Sequence, residues 1–294
     1  GKPLERKAEE PVNLLEDNKE NIIKDFRNMV KSDNDPFILV NFIDENIDKV
    51  APEYKEEMIM ELELVQEKYI ERYTDQLFGE DHQMELLSLS STGESEIQLF
   101  FDENKVEDIK NGNLRELVDK ILLGKYKLIN MEGSFYPIID YEKLKIYNKY
   151  LSPEMKDYLE IKSMDSNMPT ILDAGLMISF EKLSDRLIKA ENHITKYPEG
   201  IRYEELLRLY GTYLKLYLEG SDNTPIYDYE TKKIREEVLS SYKKTANIKD
   251  TVTSKIINKY IDIIKENENT IDVNVLSKIT ELYNEAIATL EEHK

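Results

Sequence analysis

The chain has 294 residues, with 60 acidic against 40 basic, a formal net charge of -20, 40% hydrophobic side chains and no cysteine. A surface this negative repels nucleic-acid phosphates and anionic lipid headgroups, and without thiols there is no disulfide framework, thiolate nucleophile or Cys-ligated zinc or iron–sulfur cluster. The longest apolar runs, near Phe37 to Val40 and Gly175 to Phe180, fall far short of the ~20 residues of a membrane-spanning helix.

Residues 1–12 (GKPLERKAEEPV) are dense in charge, contain two prolines and carry few apolar side chains. So little burial cannot offset the entropy of ordering, and a disordered tether is expected there. The chain starts with Gly1 rather than Met, which suggests a processed N-terminus or the remnant of a tag. Lysine outnumbers arginine 32 to 8 and Ile, Asn and Tyr are plentiful, a bias that AT-rich codons of a low-GC Gram-positive bacterium or its phage would produce.

From Asn13 onward Leu15, Ile22, Phe26, Met29 and Val30 recur at helical spacing. Asp35-Pro36 supplies an N-cap and an N1 proline for a short helix, and Ala51-Pro52 opens a long one. Along that helix Met58, Leu62, Val65, Tyr69, Tyr73 and Leu77 form one apolar stripe that ends before Gly79. Residues 80–112 read as two short helical pieces about a Ser88–Gly93 loop, and 113–125 as a further helix. Two strands about Glu132-Gly133-Ser134 then make a β-hairpin over 126–139.

Composition changes at the same place, since residues 1–125 hold three tyrosines and residues 126–294 hold sixteen. This predicts an acidic helical subdomain over 13–125 and a Tyr-rich helical subdomain over 126–294. Helices are expected at about 140–150, 153–166, 180–196, 201–219, 228–245, 249–267 and 272–291, with Ser179, Asp228 and Asp272 as N-caps. The fold class is therefore all-α: stacked helical hairpins with one short β-hairpin.

One string occurs twice. Pro137 to Ser152 (PIIDYEKLKIYNKYLS) and Pro225 to Ser240 (PIYDYETKKIREEVLS) agree at nine of sixteen positions without a gap. Its structural reading is a helix entrance, in which Pro stiffens the approach, Asp caps and Glu favours the positive helix end. Its functional reading is a paired ligand rim formed by Tyr136, Asp140 and Tyr141 with Tyr227, Asp228 and Tyr229, because tyrosines offer stacking faces and hydroxyls while carboxylates fix polar groups.

Tyr203, Tyr210 and Tyr217 repeat every seven residues, with Leu206 and Tyr213 between them, which predicts a helix-packing seam; Gly211 inside it allows a neighbouring helix to approach closely. The alternative is an exposed partner-binding face. Lys196 to Gly220 resembles the turn and first helix of a tetratricopeptide repeat, but its Gly and Pro positions do not recur at the ~34-residue period, so nothing is carried over.

His82, His193 and His293 form no zinc or di-iron motif; His193 is expected to satisfy carbonyls at a helix end and His82 to lie at the surface. Ser240 with Lys243 and Ser241 with Lys244 match S-x-x-K only as often as composition predicts. Asp33-Asn34-Asp35 and Asp222-Asn223 offer hard oxygens without calcium-loop spacing, so loop and cap duty is expected, with no cofactor and no metal. The function expected from these features is that of an extracytoplasmic helical binding protein, tethered or secreted, whose partner is a protein, peptide or glycan, without catalysis and without nucleic acid. One alternative is a carboxylate-dependent hydrolase acting on cell-wall glycan, and another is a cytosolic or phage-encoded scaffold.

Overall fold

Prolines set the helix starts in the N-terminal half, because a pyrrolidine ring pre-forms the first helical turn and the missing N–H is one that would have no partner there. Pro36 and Pro52 open α2 (Pro36–Asn46) and α3 (Pro52–Leu77), which follow α1 (Pro11–Lys31). The computed structural model describes residues 11–91 and 96–294, without the side chains of 11–17. The expected tether thus lies outside the described residues except at Pro11 and Val12, which belong to α1.

The chain divides into two compact units, residues 1–152 and 153–294. The change in composition at 126 falls inside the first unit, where the hairpin packs on its helices. After α3 come α4 (His82–Ser90), α5 (Gly112–Leu123), β1 (Tyr126–Met131), β2 (Ser134–Ile139) and α6 (Tyr141–Leu144), the last running into a 3-10 turn at Lys145–Tyr150. Helix α4 continues through Ser88–Ser90, part of the segment expected to be loop.

The apolar stripe of α3 is the spine of this unit, with Met58, Leu62, Tyr69, Tyr73 and Leu77 all buried. Gln66, buried on the same helix, donates Nε2 to Gly124 O (2.8 Å) and receives the Tyr126 hydroxyl at its own carbonyl (2.5 Å), fixing the start of β1. The Tyr73 and Tyr126 rings meet edge-on at 5.5 Å. In the hairpin Tyr126 pairs with Ile139 and Met131 with Ser134, in antiparallel register. The outer side of β2 is occupied by Gln83, whose amide donates to Phe135 O (2.9 Å) and accepts from Phe135 N (2.8 Å) as a neighbouring strand would.

The Asp33–Asp35 turn is part of this packing. Asp35 stands at the N-cap of α2 but caps no backbone N–H; its carboxylate accepts from the Tyr73 hydroxyl at 2.7 Å. Asp33 is bound by Arg72 (3.0 Å), the Tyr69 hydroxyl (3.0 Å) and Lys68 (3.4 Å). Arg72 first, then Tyr69 and Lys68, pull the Asp33 carboxyl down to about 2. Because the folded pKa is depressed, this contribution is complete above about pH 4 and is lost as pH falls through about 2. Asp33→Asn is therefore expected to lose less stability than the parent between about pH 4 and about pH 2 in urea unfolding. Identical pH slopes for the two proteins would sink this account.

The second unit comprises α7 (Pro153–Asn167), β3 (Ile171–Leu172), β4 (Gly175–Leu176), α8 (Phe180–Lys196), α9 (Tyr203–Glu219), β5 (Gly220–Ser221), β6 (Thr224–Pro225), α10 (Glu236–Ala246), α11 (Val252–Glu266), α12 (Val273–Leu276) and α13 (Ile279–Glu292). The fold is mostly helical with a short hairpin at 126–139, to which this unit adds two ladders of two residues per strand, β3–β4 and β5–β6. Ser179 caps α8 at Lys182 N and Asp272 caps α12 at Val275 N.

The tyrosine stripe of α9 is a packing seam: Tyr203, Tyr210, Tyr213 and Tyr217 are all buried. Tyr217 meets Tyr242 edge-on at 5.0 Å between centroids, and Tyr242 meets Tyr260 at a tilt at 5.6 Å. Their hydroxyls are all bonded, Tyr217 to Ser241 and Thr245, Tyr242 to Tyr217 O and Tyr260 to Leu218 O. Gly211 lets α13 come close, since a Cβ there would collide with the Tyr283 hydroxyl.

Candidate ligand-binding site

The repeated string builds different structures in the two units. In the first copy Pro137 ends up within β2, and Asp140 caps α6 by accepting from Lys143 N at 3.3 Å. Asp140 and Tyr141 are buried, and Tyr141 gives its hydroxyl to the buried Glu63 at 2.7 Å. Tyr136 is half-buried, its ring 5.3 Å from that of Phe78. These three residues serve mainly to seat the end of the hairpin against α3.

In the second copy Pro225 ends β6, but no helix follows at once. Asp228 accepts from Glu230 N and Thr231 N, both at 2.9 Å, and closes a turn rather than capping a helix. The turn is sealed by Lys232 N to Asp228 O (2.8 Å) and Asp228 N to Lys233 O (2.9 Å), with Tyr227 and Ile234 bridged across its base. Helix α10 starts only at Glu236, eight residues after the expected cap. The cause lies four residues after the shared Asp. There the first copy has Leu144, fully buried and drawing the chain into a helical turn, whereas the second has Lys232, exposed and at φ +61°.

That turn presents an organised aromatic pair. Tyr229 is 54% exposed, large for an aromatic side chain, yet its ring is held. It meets Tyr227 edge-on at 5.5 Å and donates its hydroxyl to Asp222 O at 2.7 Å. Lys232 Nζ sits 5.3 Å from the Tyr227 centroid and 5.7 Å from the Tyr229 centroid. The N–H groups of Thr231 and Glu230 hold the Asp228 carboxyl below the usual carboxylate range, so the turn carries a fixed negative charge beside the ammonium.

Asp222, which anchors Tyr229, also lines a groove of about 370 Å³ between α9 and the two short hairpins. Its walls include Ile171, Leu216, Thr212, Lys215 and Glu219. The hairpins are clipped together by Asn223 N to Ala174 O (2.9 Å), Asn223 Nδ2 to Asp173 O (2.6 Å) and Leu176 N to the Thr224 hydroxyl (3.0 Å). Asp222-Asn223 is thus turn and anchor. Among the described residues no group of three or more His, Asp or Glu is placed to hold a metal ion.

Of the six residues singled out by the repeat, the structure brings Tyr227, Asp228 and Tyr229 together in the second unit, while Tyr136, Asp140 and Tyr141 belong to the first. Lys232 and the groove residues other than Asp222 carried no motif. For Lys232 the signal in the sequence was the departure from the repeat, where the first copy keeps a core leucine.

The histidines are placed otherwise than expected. His193 is buried and donates Nδ1–H to Asp157 at 2.7 Å rather than to a helix-end carbonyl, and His82 is buried with Nδ1–H on Gln76 O at 2.9 Å. Ser241 of the S-x-x-K pair is buried against Tyr217.

No model of a known protein family, no curated protein and no solved structure matches this chain.

Proposed function

We propose that this chain is a non-catalytic binding protein that contacts its partner through the Tyr227–Lys232 turn of the second unit. The observation that carries this reading is Tyr229, a largely exposed aromatic ring fixed at both ends by Tyr227 and Asp222. An exposed ring that already sits in one conformation loses little entropy on binding, which is how rigid tyrosines produce affinity in recognition loops. Asp228 and Lys232 add one charge of each sign at the same place, suited to a peptide or a hydroxyl-rich ligand. Placement outside the cytoplasm belongs to the same proposal.

The test is titration of the chain, with labelled tyrosine rings, against a panel of soluble peptides and oligosaccharides followed by NMR. At least one ligand is expected to shift the Tyr229 resonances saturably and to be recovered chemically unchanged. Tyr229→Ala should weaken it by about tenfold, the value of a well-placed aromatic contact. Cleavage of a bound oligosaccharide would replace this reading with the hydrolase. Ligands that bind equally well to the Tyr227→Ala and Tyr229→Ala double variant, or a panel in which nothing binds, would refute the assignment of the turn.

A further inference from the structure

We propose that the groove between α9 and the β3–β4 and β5–β6 hairpins is a saccharide subsite, with Tyr229 at its rim as the stacking residue. The inference rests on the reading of the Tyr227–Lys232 turn as the contact surface and names its ligand class.

Three observations select a sugar. The first is the division of the lining. Ile171 and Leu216 offer apolar surface, while Thr212, Lys215, Glu219 and Asp222 offer donors and acceptors. A pyranose has the same division, with C–H groups on its faces and hydroxyls around its edge, so it satisfies both kinds of wall at once. The second is charge. Lys215 and Glu219 lie 3.9 Å apart on one face of α9 and largely neutralise each other, leaving Asp222 as a single formal charge. That environment favours a neutral, hydroxyl-rich group over a phosphate or a polyanion. The third is continuity with the turn, because the Tyr229 hydroxyl is bonded to Asp222, a residue of the groove wall. One sugar residue in the groove would bring its neighbour beside an exposed aromatic ring.

A peptide fits the same surface less well. Extended peptides add to sheet edges, and β3, β4, β5 and β6 are two residues each, too short to template a strand. Helical peptides need a long apolar trough, whereas this groove is about 370 Å³, near the small end of the ~300–1,000 Å³ typical of small-ligand clefts, and is polar along one wall. The clips between the hairpins hold its walls in place before any ligand arrives.

The experiment is isothermal titration calorimetry of the full chain with chitotetraose, cellotetraose and a degenerate hexapeptide pool, on the parent, Tyr229→Ala and Thr212→Arg. Thr212 is exposed on α9, so a long side chain there is compatible with folding, obstructs the groove and leaves the turn untouched. Melting curves equal to the parent's would confirm that it folds. At least one of the two oligosaccharides is expected to bind, and both variants are expected to weaken it by about tenfold or more. If an oligosaccharide binds and Thr212→Arg leaves it unchanged while Tyr229→Ala weakens it, the groove is not the subsite and only the turn reading stands. If only the hexapeptide pool binds, in a Tyr229-dependent way, the ligand class is wrong and the turn reading again survives. Binding that neither variant alters, or no binding by any probe, overturns both.

Discussion

Replacing Glu191 with alanine is expected to destabilise the second unit by about 2–5 kcal/mol. Glu191 lies on α8, 2% exposed, and its two carboxylate oxygens accept from Val252 N (2.8 Å), Thr253 N (2.9 Å) and the Thr253 hydroxyl (2.7 Å). Those two N–H groups begin α11, where the helix has no internal acceptors for them and where its dipole favours a negative charge. The carboxylate thereby joins α8 to the start of α11 across 61 residues of sequence. Alanine leaves both N–H groups buried without an acceptor, each costing about 1–3 kcal/mol, partly relieved if water enters, while the Thr253 hydroxyl keeps the Tyr210 hydroxyl as a partner at 2.9 Å. Glu191→Gln keeps one acceptor oxygen and the side-chain volume, so its cost should be smaller, about 1–2 kcal/mol. Urea unfolding followed by circular dichroism measures both. Equal and small losses for the two variants would show that the carboxylate does not hold α11.

How far such features can be seen in the sequence depends on how local their causes are. The hairpin at 126–139 was legible because two short strand-like runs, Tyr126 to Met131 and Phe135 to Ile139, flank Gly133, which takes φ +85° in the turn. The α3 stripe and the α9 tyrosine seam were legible because a helix buries one face at a fixed period, and both stripes are buried as expected. Helix α8 begins after Ser179 and ends at Lys196, as its cap and the Tyr197-Pro198 stop imply. The β3–β4 and β5–β6 ladders were not legible, since two residues cannot show an alternation.

The helix expected from Asp228 failed for a different reason. The string around it suits a helix entrance, but between Ile226 and Val238 only Ile234 is buried, so there is no apolar stripe to hold a helix down. The candidate site was half legible by the same logic. Tyr227, Asp228 and Tyr229 stood out through the repeat, whereas Thr212, Lys215 and Glu219 look in sequence like the solvated face of an amphipathic helix. Only the hairpins folding beside α9 make that face a wall. The partners of Glu191 and His193 are likewise set by which helices pack together.

Gly220 tests whether that wall depends on backbone conformation at a single position. It stands between α9 and the turn of the β5–β6 ladder with φ +69° and ψ -159°, a region that only glycine enters without strain. A Cβ there would lie 2.5 Å from Thr224 O and 3.0 Å from Ile226 N, both backbone atoms that cannot rotate away. Gly220→Ala therefore meets strain and collision together, and an expected cost of about 3 kcal/mol or more follows from their sum. Gly133 provides the control, because it also has positive φ but a Cβ there meets nothing within 4 Å. Gly133→Ala should cost only the backbone strain, about 1–2 kcal/mol. The two variants also differ in what else they disturb. Opening the β5–β6 ladder moves Ser221 and Asp222, and with Asp222 goes the acceptor that fixes the Tyr229 hydroxyl. Limited proteolysis of Gly220→Ala should therefore cut within 220–232 faster than in the parent, while Gly133→Ala leaves that segment as resistant as before. If both glycines tolerate alanine equally in unfolding and in proteolysis, the ladder is not what positions Tyr229, and the groove and the turn are separate features of the second unit.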